Sequence, residues 1–207
     1  MNEHSVAKSY TVASAADAEV AYDNWSSEYE VDLFRAGYRI PGYIATVFTR
    51  FVPLEASPIL DAGCGGGLQV EPLALTGYGS FTGIDFSEGM LAIARSKGIY
   101  ETLTRMVLGQ TLDLPDDYFA AVLCAGCITP GHAPPQSFDE LVRVCQPGKP
   151  IIFSLRDDPA QDAAYPTAIK RLEDAGAWKP SFVTASFRSL PYGEPEITHR
   201  IHVYTVL

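Results

Sequence analysis

Short apolar runs, punctuated by glycine and proline, alternate along the chain with helical stripes of three-to-four-residue spacing. Ile59-Leu60, entered from Pro58, reads as a short buried strand, followed by a glycine turn over Gly63–Gly67 and a helix over 68–75 that ends near Gly77. Phe81–Asp85 is the next strand. Ser87 caps a helix over 88–97, and Gly98 ends it. A third strand is predicted over Leu103–Leu108. A fourth, over Phe119–Ala125, is continuously apolar, as a buried parallel strand is. Phe138, Leu141, Val142 and Cys145 share a helical face before Pro147-Gly148, and Pro150–Leu155 is a fifth strand. A helix starting at Pro166 turns Ile169 and Leu172 inward and closes at Gly176.

The two flanks of this alternation differ from it. Residues 1–13 are mixed and carry no pattern. Ser14 can cap a helix with Asp17 in its first turn, and within it Tyr22, Trp25 and Tyr29 stand at i, i+3 and i+7 on one face. That face either packs on the core or covers a ligand. Pro41-Gly42 interrupts the pattern. Ile44, Val47, Phe48 and Phe51 then form a second stripe, which Pro53 stops. Beyond Trp178 the pattern becomes strand-like: Phe182–Phe187 and Ile197–Leu207, linked by the turn-rich Pro191–Pro195, predict an antiparallel hairpin.

The chain's 207 residues are 47% apolar, enough for a full core. A formal net charge of −10 argues against a nucleic-acid partner, whose phosphates demand Lys and Arg. No signal-like run and no apolar stretch of membrane-spanning length is present, so a cytoplasmic protein with no membrane partner is expected. Four cysteines, at 64, 124, 127 and 145, do not form a secreted disulfide framework. Cys124 and Cys127 spell C-x-x-C, but no second Cys or His pair completes a zinc site. Both are read as structural, with no metal expected.

The candidate chemistry gathers on the glycine turn. Gly63 and Gly65 fit the first two positions of G-x-G-x-x-G, but the third falls on Leu68, which counts against a dinucleotide, and no Walker lysine follows. Asp61, two residues before the first glycine, repels phosphate and accepts a cation. Asp85 lies 22 residues after Gly63 at the carboxyl end of its strand, where an acid grips ribose hydroxyls. His132 lies in the loop after the fourth strand, on the ligand side of such a sheet, and can take a proton from an acceptor. Arg156, Asp157 and Asp158 end the fifth strand on the same side.

Asp61-Ala62-Gly63-Cys64-Gly65-Gly66-Gly67 resembles the first motif of class I S-adenosylmethionine-dependent methyltransferases, and Gly83-Ile84-Asp85-Phe86-Ser87 resembles the motif closing their second strand. Tyr22-Asp23-Asn24-Trp25, Gly131-His132, Asp139–Val144 and Ser154–Asp158 bring the chain nearer to the methyltransferase-like proteins of the Williams–Beuren region. The resemblance implies one domain over 1–207. Its α/β fold would be a Rossmann-like, seven-stranded, mostly parallel sheet, with helices on both faces, a C-terminal antiparallel hairpin, and 14–53 as a helical lid. It also implies S-adenosyl-L-methionine as cofactor and methyl transfer to a small-molecule acceptor, with a non-catalytic protein of the same fold that binds S-adenosylmethionine or S-adenosylhomocysteine as the alternative and the oligomeric state left open. Trp25 and Tyr29 would then close over the methionine end, and Asp61, Gly63, Cys64 and Gly65 would seat it. Asp85 would hold the ribose. Phe86 and Met90 would sandwich the adenine, and Gln110, Thr111 and Leu112 would flank it, although Gln110 departs from the acid usual there. His132 is the candidate base, needed where the acceptor carries a proton.

Overall fold

Four short strands of almost entirely buried residues form the middle of the sheet: β1 (Ile59–Ala62), β2 (Phe81–Asp85), β4 (Ala121–Cys124) and β5 (Pro150–Arg156), all parallel. The computed structural model describes residues 15–207. The expectations for residues 1–13, for Ser14 and for the Asp17 side chain lie outside the described residues. With β3 (Tyr100–Arg105), β6 (Trp178–Val183) and β8 (Glu194–Val206) the strand order is β3-β2-β1-β4-β5-β8-β6.

An eighth strand, β7 (Phe187–Leu190), also pairs with β8, so the expected seven-stranded sheet has eight. The predicted strand 182–187 is two strands. β8 is 13 residues long, and β6 and β7 pair with successive parts of one of its edges. Between them the Thr184 amide donates to the Ile201 carbonyl and the Ile201 amide donates to the Thr184 hydroxyl. A side chain thus completes the ladder where the backbone breaks.

Alternation along each strand sends successive side chains to opposite faces. Leu60, Val122, Ile151 and Phe153 pack against α5 (Ser137–Val144) and α6 (Ala164–Asp174). Ile59, Leu123, Ile152, Ile201 and Val203 pack against α2 (Ile40–Phe51) and α3 (Glu71–Leu75). Helices thus cover both faces. α2 begins earlier than the sequence implied. The break falls at Gly37 (φ 75°), and Pro41 sits in the first helical turn, where its missing N–H is no loss. β3 lies at 100–105 rather than 103–108, because the chain leaves the sheet once the Met106 amide has bonded the Asp85 carbonyl. α4 (Glu88–Lys97) matches its prediction: the Ser87 hydroxyl accepts from the Met90 amide, and Gly98 closes it in the left-handed conformation.

The order of the central strands places the site. The chain runs outward from β1 to β2 and β3, then returns to lay β4 on the other side of β1. The loops leaving β1 and β4 therefore diverge and open a crevice at the carboxyl edge of the sheet. Beneath it Phe138, buried on α5, contacts Phe153 and Trp178 with ring centroids 5.1 and 5.4 Å away. Phe138→Ala is expected to cost about 3–5 kcal/mol of unfolding free energy, measured as a lower urea midpoint with unchanged slope.

Candidate active site

The turn after β1 depends on three glycines in the left-handed region: Gly63 (φ 75°), Gly65 (φ 52°) and Gly67 (φ 90°). At Gly63 space forbids a side chain too, since a Cβ there would lie 2.6 Å from the Cys127 Sγ in the loop after β4. The Gly63 and Cys64 amides donate to the Ile84 carbonyl at 2.8 and 2.9 Å. The Gly65 amide donates to Asp85 Oδ2 at 2.8 Å, and the Ser87 amide donates to Oδ1 at 3.0 Å. One buried carboxylate thus ties the glycine turn to the entry of α4.

Around this carboxylate lies a cleft formed by the glycine turn, Leu68 and Gln69, Phe86 and Met90, Ala125–Cys127, His132, and Tyr22 and Tyr29 of α1 (Ala15–Ala36). The Tyr22 ring meets Phe86 and His132 edge-on, with centroids 5.8 and 5.3 Å apart. With that ring in place the free volume is about 40 Å³, against roughly 300 Å³ or more for a cofactor-sized ligand. A ligand of that size enters only as the lining side chains move apart. α1 is fastened to the neighbouring unit by carboxylates. Asp23 accepts from the Ser87 hydroxyl and, at 2.9 Å, from the Gly89 amide; Glu30 meets Lys97 at 2.6 Å; Glu19 pairs with Arg105 at 2.7 Å.

The cleft is rich in hydrogen-bond acceptors. Gln69 donates its amide to the Tyr38 hydroxyl at 3.0 Å, which leaves its buried Oε1 without a partner. His132 Nδ1 lies 3.1 Å from the Thr129 hydroxyl and 3.3 Å from the Pro130 carbonyl. A carbonyl only accepts, so the proton is assigned to Nδ1, and the buried, unpartnered Nε2 keeps its lone pair. Burial lowers the His132 pKa, against the opposing bond to Pro130, and keeps the ring neutral. Burial raises Asp85 to about 6; the Ser87, Gly65 and Phe86 amides work against this and the Asp23 charge adds to it. A ligand that brings hydroxyls and a positive charge satisfies Asp85 and Gln69 and leaves the His132 Nε2 lone pair open.

Eight of the residues expected at the site stand together in this cleft: Tyr29, Gly63, Cys64, Gly65, Asp85, Phe86, Met90 and His132. Trp25, Asp61, Gln110, Thr111 and Leu112 do not line it. Trp25 packs on Tyr29 and donates its indole N–H to Asp32 at 2.9 Å, one helical step away from the opening. Asp61 is buried beneath the turn, where Oδ2 accepts the Tyr100 hydroxyl at 2.6 Å. Gln110 and Thr111 are exposed. Leu112 is a core residue whose amide donates to Glu140 and whose carbonyl accepts from Arg143, so its backbone is engaged with α5. Gln69, Tyr22 and Cys127 were not proposed as ligand residues from the sequence. Gln69 had a readable signal, as a polar residue in the apolar stretch just past the glycines. Cys127 had none, because its approach to Gly63 is purely tertiary.

Residues 60–153 match the family model described as a methyltransferase domain. Methyltransferase-like protein 27 of Homo sapiens is 33% identical over 164 residues, covering 76% of this chain and 66% of that protein. A ubiquinone biosynthesis O-methyltransferase of Alkalilimnicola ehrlichii is 35% identical over 105 residues, covering 49% of this chain and 42% of that protein. The chain thus spans between 42% and 66% of the lengths of these two curated relatives. Among solved structures, the [4+2]-cyclase SpnF superposes with a TM-score of 0.74 at 15% identity, over 94% of this chain and 97% of that one. A possible histamine N-methyltransferase from Thermotoga maritima superposes with a TM-score of 0.65 at 17% identity, over 89% and 97%. The chain belongs to the class I S-adenosylmethionine-dependent methyltransferases. The cofactor that this family and fold imply is S-adenosyl-L-methionine, and the acceptor-rich cleft fits its ammonium, sulfonium and ribose hydroxyls.

Burial pushes the Asp61 carboxyl from 3.8 up to about 7; the Tyr100 hydroxyl works against this and the Asp85 charge adds to it. A buried acid raised in this way costs stability when ionised. The cost is absent below about pH 4, grows between 4 and 7, and is complete above 7. Asp61→Asn is therefore expected to raise Tm at pH 8, with the gain shrinking at pH 5. Equal gains at both pH values in a melting series would contradict this origin.

Proposed function

We propose that this protein transfers the methyl group of S-adenosyl-L-methionine to a small-molecule acceptor and releases S-adenosylhomocysteine. The observation that carries the reading is the cleft at the strand-order reversal, where one buried carboxylate braces the glycine turn and three acceptor groups converge. Bound there, S-adenosyl-L-methionine supplies a methyl group already activated by its sulfonium. The protein's task is to align the acceptor and exclude water, which supplies about 7–11 kcal/mol in well-oriented reactions.

Each residue then has a definite part. Asp85 keeps further lone pairs on its two oxygens for ribose hydroxyls, beyond those taken by the Gly65 and Ser87 amides. Gly63, Cys64 and Gly65 bring backbone to the methionine end, and the unpartnered Oε1 of Gln69 accepts from its ammonium. Phe86 and Met90 flank the adenine. Aromatic rings from α1 favour a nearby sulfonium. On this reading α1 is the lid, with Tyr22 and Tyr29 as its inner face. α2 is core: Ile40, Ile44, Val47 and Phe48 bury against the sheet. The neutral Nε2 of His132 takes the acceptor's proton where there is one to lose.

The acceptor has room in a cavity of about 190 Å³ lined by Thr129, Pro130, Arg156, Gln161 and Tyr165, two of which, Thr129 and Pro130, hold the His132 ring. Arg156 grips Asp158 through two bonds of 2.8 Å, so this pair shapes the wall as a neutral unit. A small molecule suits that space. The ubiquinone and demethylmenaquinone methyltransferases among the relatives carry small-molecule names too.

Calorimetric titration of S-adenosylhomocysteine tests the site. Asp85→Ala is expected to weaken binding at least tenfold, about 1.4 kcal/mol. Because protonation removes an acceptor from Asp85, wild-type affinity is expected to fall as pH drops below about 6. His132→Gln is expected to slow methyl transfer to a hydroxyl or ammonium acceptor by roughly 100-fold or more, while S-adenosylhomocysteine affinity stays within a few-fold. Folded wild-type protein that binds neither S-adenosylmethionine nor S-adenosylhomocysteine would refute the reading.

A further inference from the structure

A second cavity lies away from the cofactor cleft. It is a groove of about 560 Å³ between the outer side of α2 and the strand β6 with its exit. Arg39, Tyr43, Thr46 and Arg50 recur at helical spacing along one of its walls, and Phe182 and Thr184 form the other. Its body is apolar and aromatic. The Tyr43 ring stacks on Phe187 with centroids 3.6 Å apart, and the Arg50 guanidinium stands 4.9 Å over the Phe182 ring. A groove of this size matches a small organic ligand.

The charges indicate which kind. The chain has ten arginines and a net charge of −10. Seven arginines pair with carboxylates. Arg39, Arg50 and Arg188 meet no carboxylate among the described residues, and two of these three line this one groove. In so acidic a protein an unneutralised guanidinium has a surplus of carboxylates to choose from, yet both of these line the groove, Arg50 over an aromatic ring. Guanidinium groups bind carboxylate, sulfonate and phosphate through paired N–H donors and also stack on rings.

We propose that this groove is a second ligand site, one that takes an elongated aromatic or apolar acid. The apolar body lies along Tyr43 and Phe182, and the acid group meets a guanidinium at one end. Arg39 and Arg50 are 11 residues apart on the helix, roughly 16 Å along its axis, so a single small acid group engages one of them. The site adjoins the cofactor cleft without sharing its binding groups. Tyr38 lines the groove, and its hydroxyl accepts from Gln69 of the cleft at 3.0 Å. The proposal stands whether or not the methyl acceptor is the ligand.

The test is a fluorescence titration of the folded protein with 8-anilino-1-naphthalenesulfonate, an anionic aromatic probe, beside its neutral relative N-phenyl-1-naphthylamine. Saturable binding of one anionic probe per chain is expected, weakened at least tenfold in Arg39→Gln/Arg50→Gln. The single variants show which guanidinium holds the sulfonate, and Thr46→Trp, which fills the groove, is expected to abolish binding. The neutral probe is expected to bind more weakly in the wild type and to be indifferent to the arginine changes. The double variant is checked for unchanged circular dichroism and S-adenosylhomocysteine affinity, since neither arginine lines the cofactor cleft. A folded double variant that binds the anionic probe within twofold of wild type would overturn the proposal, as would a Thr46→Trp variant that binds it normally. Loss of S-adenosylhomocysteine binding by wild type would refute the cofactor reading alone.

Discussion

The carboxylate of Asp85 is the constraint on which the site depends. Its two oxygens accept from Gly65 in the turn after β1 and from Ser87 at the entry of α4, so the carboxyl ends of two parallel strands are locked into one rigid edge. A buried carboxylate is costly unless hydrogen-bonded. Here the backbone amides lower that cost without removing it, and the group remains the natural partner of a ligand rich in donors. The glycines around it follow from the same demand. Their left-handed backbone aims the Gly65 amide at the carboxylate, and the absence of a side chain at Gly63 lets the β4 loop close to contact.

Asp61 illustrates how position in the fold changes a residue's meaning. The same acid that makes the turn unfit for phosphate lies under the turn, held by the Tyr100 hydroxyl, with its other oxygen buried and unpartnered. From there it acts through the field it sets at the cleft and through the shape of the turn. Tyr100, from the edge strand β3, thereby links the outer sheet to the centre of the site.

α1 brings the N-terminal segment into the same unit. Its carboxylates are spaced to meet Arg105, the start of α4 and Lys97 in turn, and Asp23 accepts from the free amide of Gly89 at the positive end of α4. The aromatic face that these clasps press inward fills the cleft. As the proposed lid, α1 would set polar clasps at the rim against ring contacts within. The second groove, between α2 and β6, lies outside that contest and carries the opposite charge logic, with cations left unneutralised in an acidic protein.

The sequence by itself determined the order of strands and helices as far as α6, the glycine turn, Asp85 at its strand end and the cap at Ser87, because each rests on local backbone geometry and short-range periodicity. It also placed His132 in a loop on the ligand side. Tertiary structure decided what local rules cannot reach. Tyr22 rather than Trp25 enters the cleft, because the direction of a face depends on where the helix docks. Gln110, Thr111 and Leu112 stay away from the cleft, because Glu140 and Arg143 on α5 capture the Leu112 backbone. The eighth strand exists because β8 is long enough to pair twice along one edge, with the Thr184 side chain bridging the gap. Cys127 joined the site for the same reason: its approach to Gly63, more than sixty positions away, leaves no periodic trace in the chain.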